Sequence, residues 1–301
     1  MHALYMVKVT EWRASHKCLV FRDVPRFSGR LDDMRMSLEF LGTGTSVGVP
    51  MIGCDCPVCR SSDPRDTRLR SSALIRSHAA DGAVDTTVLL DTTPDLRYQM
   101  LRANVRRVDA IVITHFHADH VMGIDDVRRF NIIQKQVIDV WGTPTTLNSM
   151  RKSFGYVFSD TLRAGWPSLR AREITIGQTL EIGSMTFLPF DLDHEVIINT
   201  GLKIRHSSVP NGPEIAYCLD VKRIDEAGYQ ALKGTDTLIL DMLRETNHPT
   251  HMNFTEAMDA VNRVQPRRAY FGHIAHEIGH AAFEARLPEH VRLAYDGLVI
   301  D

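Results

Sequence analysis

The segment Asp109-Ala110-Ile111-Val112-Ile113-Thr114-His115-Phe116-His117-Ala118-Asp119-His120 joins an aliphatic run to three imidazoles and a carboxylate. The run reads as a buried strand, and the histidines as the loop that follows it. Adjacent side chains diverge, so these four polar groups cannot all close on one tetrahedral ion. They can serve two, with His115 and His117 facing one ion and Asp119 and His120 the other. Two metals held ~3.5–4 Å apart clamp the attacking and leaving oxygens of a displacement reaction. The plainer reading is a solvated histidine-rich loop, which the preceding buried strand and the fixed Asp119 disfavour.

Composition admits such a site and excludes other classes. The 301 residues are 44% hydrophobic and 24% charged, which excludes a disordered, collagen-like or coiled-coil chain. Lys and Arg number 35 against 37 Asp and Glu, a net charge of −2. No global field is available to hold a long nucleic acid, although a local basic patch is allowed. Mean hydropathy is −0.16 and no apolar run approaches membrane-spanning length, so no membrane is expected as a partner. Near the N-terminus the longest apolar stretch is Cys18-Leu19-Val20-Phe21, too short for a secretory signal, and a cytoplasmic location is the expectation. Of five cysteines, Cys18 and Cys218 are isolated, whereas Cys54, Cys56 and Cys59 lie together. That triplet in a reducing compartment points to metal rather than disulfides. Histidine, the commonest metal ligand, occurs 14 times, largely in clusters.

No repeat, Pro-rich linker or low-complexity tract divides the chain. Strands are predicted at Ser37–Leu41, Ala73–Ile75, Thr87–Leu90 and Asp109–Ile113, and a helix from Pro94 through Met100. Ile124–Ile133 and Thr145–Phe154 read as helical and Val137–Val140 as extended. Short strands follow between Ile174 and Leu219, clearest at Ile197–Ile204 and Ile215–Leu219. Then come a helix at Asp225–Leu232, a strand at Thr237–Asp241, a helix at Thr255–Val264 and a strand at Ala269–Phe271. Strand runs with helices between them imply a layered α/β domain. The first convincing element starts directly after Met34-Arg35-Met36. Two readings of residues 1–35 therefore stay open: a start codon placed too early, or an N-terminal extension packed on a domain of residues 36–301.

His-x-His-x-Asp-His after a buried strand resembles the signature of the metallo-β-lactamase superfamily. The resemblance implies an αββα sandwich, two mixed sheets flanked by helices, with a metal site at one edge. The superfamily's other motifs have counterparts at Asp91 in Leu89-Leu90-Asp91-Thr92, His194 in Asp191-Leu192-Asp193-His194, Asp220 after Tyr217-Cys218-Leu219, and His273 after Tyr270-Phe271-Gly272. It implies His115, His117 and His194 on one ion, and Asp119, His120 and His273 on the other. Asp220 would bridge, with a shared hydroxide completing both shells, and Asp91 would orient the ligand loop by hydrogen bonds. His206 lies within reach of the same segment as His194 and competes with it.

In Gly53-Cys54-Asp55-Cys56-Pro57-Val58-Cys59 three thiolates surround one small volume, and soft sulfur selects zinc. A fourth ligand is needed to close a structural site. His276, three residues beyond His273, is the candidate, with His280 second. Redox-active or incidental cysteines are the alternative.

Together with Leu41-Gly42-Thr43-Gly44-Thr45-Ser46, Asp63-Pro64-Arg65-Asp66 and Arg70-Ser71-Ser72-Ala73-Leu74-Ile75, the triplet narrows the resemblance. It points to the phosphodiesterase branch typified by phosphoribosyl 1,2-cyclic phosphate phosphodiesterase of phosphonate degradation. The likeness covers roughly residues 36 to 285. It implies hydrolysis of a small cyclic or linear phosphodiester, nucleotides included, by a hydroxide shared between two divalent ions, manganese or zinc. One structural zinc would be present in addition. A family histidine that protonates the leaving group has its counterpart in His251 of His248-Pro249-Thr250-His251-Met252-Asn253, with His248 as the nearby substitute. His251 and Asp119 thus stand as the catalytic residues. Arg68, Arg70, Ser71 and Ser72 either line a phosphate pocket or pair with neighbouring carboxylates. A homodimer is compatible with this reading.

Three competitors share parts of the pattern. A tRNA 3′-processing nuclease has the same first signature, but nothing here resembles its RNA-gripping arm. A thioesterase or lactamase would turn the same hydroxide on a carbonyl. A nucleotide-binding regulatory module on this scaffold would be expected to lose ligands, and none is missing.

Overall fold

The computed structural model describes residues 35–301, so the extension expected at residues 1–35 lies outside the described residues except for Arg35. The chain first lays down β1 (Arg35–Gly42), β2 (Ser72–His78), β3 (Val84–Leu90), β4 (Ala110–Val112), β5 (Ile138–Gly142) and β6 (Leu169–Glu173). It then lays down β7 (Leu180–Ile182), β8 (Met185–His194), β9 (Ile197–His206), β10 (Ile215–Cys218), β11 (Thr237–Asp241), β12 (Arg268–Gly272) and β13 (Val291–Leu293). The last strand, β14 (Val299–Ile300), returns to pair antiparallel with β1 through Leu38 and Ile300. Two seven-stranded sheets result, ordered β14-β1-β2-β3-β4-β5-β6 and β13-β12-β11-β10-β9-β8-β7. Both are mixed: β3 through β6 run parallel, as do β10 through β13, and the remaining pairs are antiparallel.

Alternation along the strands explains why the sheets stack. In β3, Val88 and Leu90 point into the core between the sheets, while Leu89 points to the opposite face. In β11, Ile239 enters that shared core, and Leu238 and Leu240 point outward. Both faces of each sheet are therefore apolar, and each outer face needs a cover. Helices α1 (Leu96–Arg102), α2 (Ala118–Val121), α3 (Arg128–Gln134) and α4 (Pro144–Phe154) lie along the first half of the chain. Leu96, Met100, Phe130, Leu147 and Met150 from these helices close over Leu74, Leu89 and Ile111. Helices α5 (Glu226–Ala231), α6 (Phe254–Val264) and α7 (His280–Glu284) serve the second half, where Ala257, Val261 and Phe283 pack with Leu238 and Phe271. Each fully buried Leu or Ile is worth roughly 1.5–3 kcal/mol. The expected α/β sandwich is present.

Local signals set the helix starts. Thr143 accepts from the Thr146 amide ahead of Pro144 in α4, and Asn253 and Glu256 form a reciprocal capping box on α6. Pro94 lies ahead of α1 rather than inside it, and the predicted helix 124–133 begins as a 3₁₀ turn, Ile124–Val127, before α3. The long hairpin of β8 and β9, ten residues in each strand, replaces the expected series of short strands. Among the described residues no helix is long and apolar enough to cross a membrane.

Candidate metal centre

Six side chains that meet at one rim of the sandwich lie at or just past the C-terminal ends of strands. Asp91 follows β3, His115 follows β4, His194 ends β8, Asp220 follows β10, Asp241 ends β11 and His273 follows β12. Asp91, Asp220 and His273 have left-handed backbones, with φ of 62°, 53° and 55°. Such a conformation in a non-glycine residue costs on the order of 1–3 kcal/mol, and it concentrates at functional sites. At Gly123, just beyond His120, a Cβ would lie 2.0 Å from the Thr93 carbonyl oxygen, so glycine there lets the ligand loop close on the strand-end turn.

Asp91 is fully buried. Its Oδ1 accepts from the Thr114 amide at 2.8 Å, and its Oδ2 from the Thr114 hydroxyl at 2.9 Å. Oδ2 also lies 2.8 Å from His120 Nδ1, which turns Nε2 of that ring toward Asp220 at 3.1 Å. Asp119 Oδ2 stands 3.4 Å from the same Nε2. Asp220 Oδ1 and His273 Nδ1 are 2.8 Å apart but misaligned for a hydrogen bond, which leaves that buried oxygen without one. On the other side, His115 Nε2 lies 3.0 Å from His117 Nδ1, and the His194 ring is 5.6 and 5.3 Å from those two rings. The Thr250 carbonyl, 2.8 Å from His194 Nδ1, sets that ring's orientation.

Three sets bring their ligand atoms within 4.8 Å of one another: His115, His117 and His194; His115, His120 and Asp220; and His194, Asp220 and His251. Asp119 and His273 belong to none of these sets, and reach the cluster through His120 and Asp220. Asp220 Oδ1 is thus buried without a hydrogen to accept, and the donor set, imidazole plus carboxylate, suits divalent first-row ions. The residues fit binding of divalent metal.

Electrostatics differ between the histidines. Burial pushes His115 well below the usual imidazole range, aided by the charge of His120, and burial also lowers His117 and His194. Neutral imidazole is the ligating form. For His273 burial opposes the charge, but Asp220 outweighs it and lifts the imidazole to about 9. His120 likewise stays well above its ordinary value because Asp220 and Asp91 overcome burial. Burial also opposes ionisation of Asp220, yet His273 and His120 hold it well below the carboxylate range.

His251 sits beside this cluster. Its Nδ1 lies 2.7 Å from Asp241 Oδ2, and its ring stacks on His273 at 4.6 Å and 14°. Asp241 was not singled out in the sequence, although it ends a strand as Asp91 and Asp220 do, and that signal would have found it. Neither the Thr250 carbonyl nor the Ser71 hydroxyl, 3.2 Å from His273 Nδ1, leaves any signal of its role in the sequence. Arg68 and Arg70 pair with Asp66 and Asp95 rather than lining an open phosphate pocket. His206 pairs with Met185 at the opposite end of the β8–β9 hairpin, which removes it from contention with His194.

A second cluster lies beside the first. Cys54, Cys56, Cys59 and His276 bring their ligand atoms within 4.8 Å, with His276 Nδ1 3.3 Å from Cys54 Sγ and 3.4 Å from Cys56 Sγ. The Cys59 amide and then His276 lower the Cys56 thiol to about 6. His280 lies outside this set, with its ring against Tyr295 at 5.7 Å. Three sulfurs and one nitrogen suit zinc.

Residues 86–274 match the beta-lactamase superfamily domain. The chain is 33% identical over 265 residues to an octanoyltransferase of Porphyromonas gingivalis, covering 87% of this chain and 51% of that protein. It is 29% identical over 164 residues to ribonuclease BN of Cronobacter sakazakii, covering half of each. The chain thus spans about half the length of these curated relatives. Among solved structures, a diphosphatase from the PhnP family superposes with a TM-score of 0.78 at 35% identity, covering 89% of this chain and 97% of that one. Identity of that order across nearly the whole of a solved relative, on the same sandwich, places this chain in the beta-lactamase superfamily and, within it, in the PhnP family.

Proposed function

We propose that this protein is a metal-dependent phosphodiesterase that hydrolyses a small cyclic or linear phosphodiester. The observation that carries the proposal is the Asp241–His251 pair, a hydrogen-bonded imidazole set against the His/Asp cluster. The diphosphatase from the PhnP family, nearly all of whose length this chain covers, supports a phosphoester substrate. His115, His117 and His194 would hold one ion, Asp119, His120 and His273 the other, and Asp220 both. Two divalent ions, manganese or zinc, supply Lewis acidity and a nucleophile at neutral pH.

The chain's own residues do the rest. Asp91 and Thr114 fix the His120 ring before any ion arrives. Asp241 accepts from His251 Nδ1, which keeps Nε2 turned to the cluster. From Nε2 a proton passes to the departing oxygen, the step that a poor leaving group such as a sugar hydroxyl requires. Cys54, Cys56, Cys59 and His276 would hold a structural zinc, and Met51 and Cys59 already donate amides to Cys59 Sγ and Cys56 Sγ.

A nuclease reading draws on the likeness to ribonuclease BN. One experiment separates the readings: a metal-loaded screen of cyclic phosphates, linear phosphodiesters, a structured RNA, thioesters and lactams. Activity on small phosphodiesters is expected; activity on carbonyl substrates alone, or on RNA alone, overturns the proposal.

A further inference from the structure

Lys222 lies two residues beyond Asp220 and reaches across to the segment that carries His251. Its Nζ donates to Asn247 Oδ1 at 3.0 Å, to the His251 carbonyl at 3.3 Å and to the Glu256 carboxylate at 2.7 and 2.9 Å. An ammonium has three donor hydrogens, and here three different residues take them. The side chain is only 10% exposed. Glu256 is itself anchored, accepting from the Asn253 amide at 2.9 Å while its own amide donates to Asn253 Oδ1 at 2.9 Å. One ammonium therefore ties three pieces together: the turn after β10, the 247–251 loop and the first turn of α6.

That loop presents two groups to the metal cluster. The Thr250 carbonyl orients His194, and His251 faces the cluster from its bond to Asp241. The turn holding Lys222 is equally tied in. Its Val221 amide donates to Asp241 Oδ2 at 2.9 Å, and the Lys222 amide to the Asp193 carbonyl at 2.8 Å. The Met252 amide closes the loop on the Val221 carbonyl at 2.9 Å. Asn247, His251 and Met252 thus all tie this segment to the turn at Val221 and Lys222.

We propose that Lys222 is a positioning residue, whose ammonium holds the 247–251 loop where Thr250 orients His194 and His251 reaches the leaving oxygen. The part concerning His251 rests on the phosphodiesterase reading; the part concerning His194 needs only that the cluster bind metal. The bland alternative is an ion pair that merely steadies α6. Loss of such a pair would lower melting temperature and leave substrate preference unchanged.

The test uses full-length protein, saturated with Mn²⁺ and then titrated from the metal-free state. Lys222→Met keeps the length of the side-chain stem and removes the ammonium. Turnover of an alkyl phosphodiester should fall at least ~10-fold further than turnover of a p-nitrophenyl phosphodiester, which needs little protonation. The midpoint of Mn²⁺ binding to metal-free protein, read by calorimetry, should rise severalfold. Asn247→Ala removes one acceptor while keeping the Lys222–Glu256 pair, and should shift both readouts in the same direction by less; it carries the test if Lys222→Met does not fold. Equal losses on both esters with an unchanged Mn²⁺ midpoint overturn the assignment. Should His251→Ala treat both esters alike, the general-acid reading fails on its own, and the Mn²⁺ midpoint of the Lys222 variant decides alone.

Discussion

Asp241 Oδ2 lies 2.7 Å from His251 Nδ1 and 2.9 Å from the Val221 amide, and Asp241 is fully buried. A ring held at Nδ1 can work only from Nε2. His251→Ala should slow alkyl phosphodiesters by about 10²–10⁴-fold and p-nitrophenyl esters far less. Asp241→Asn should reproduce part of that split, because an amide no longer fixes the tautomer and orientation of the ring. Equal losses in both ester classes, or loss of a metal ion from the His251 variant, would count against the acid role.

Asp220 faces His120 with one oxygen and His273 with the other. Asp220→Ala should therefore reduce metal stoichiometry along with turnover, since both ligand sets lose a member. Elemental analysis that finds both catalytic ions retained in the variant refutes the bridging role.

The sulfur cluster lies a short chain segment away from the first. His273 and His276 are three residues apart, so a zinc at Cys54, Cys56, Cys59 and His276 would also fix the backbone presenting His273. Cys56→Ser should lower the melting temperature and weaken catalytic metal binding indirectly, with excess Mn²⁺ restoring part of the activity. Zinc K-edge spectroscopy on protein stripped of its catalytic ions checks the ligand set. A first shell without sulfur, or reversible oxidant inactivation with no zinc held by the reduced protein, sinks the structural assignment.

In metal-free protein the cluster is held together partly by charge. His273, lifted to about 9 by Asp220, binds its proton more tightly when folded than in the unfolded chain, where its value is the ordinary 6.5. Its contribution to stability is complete below about 6.5 and is lost as pH rises through about 9. Metal-stripped protein should therefore lose melting temperature across that interval, and loading with Zn²⁺ or Mn²⁺ should release protons. Calorimetry in two buffers of different ionisation enthalpy measures the release. Metal binding with no proton release at neutral pH would contradict the charged arrangement.

Much of this protein is local in its sequence. The spacing of His115, His117, Asp119 and His120, and of Cys54, Cys56 and Cys59, places each group of donors around one small volume whatever the rest of the chain does. Strand faces are legible for a similar reason, since the two-residue period of Val88, Leu89 and Leu90 assigns each side chain to a face. Asp91, Asp220 and His273 were found through the resemblance, as counterparts of superfamily motifs at the ends of predicted strands.

What crosses the sheets was not legible. His194 and His206 flank the same predicted strand, and only the β8–β9 register, pairing His194 with Ile197 and His206 with Met185, sends them to opposite ends. Parallel pairing of β11 with β10 and β12 brings Asp241 to the rim, where it meets His251. His276 rather than His280 joins the cysteines because α7 starts at His280, whose amide donates to Asp66 Oδ1 at 2.7 Å and whose ring rests on Tyr295. The sequence by itself determined which chemistry each loop carries, because ligand spacing within a few residues is fixed by backbone geometry. The tertiary structure alone decided which loops share a site, because that depends on strand order and register, set by burial of both sheet faces across hundreds of residues.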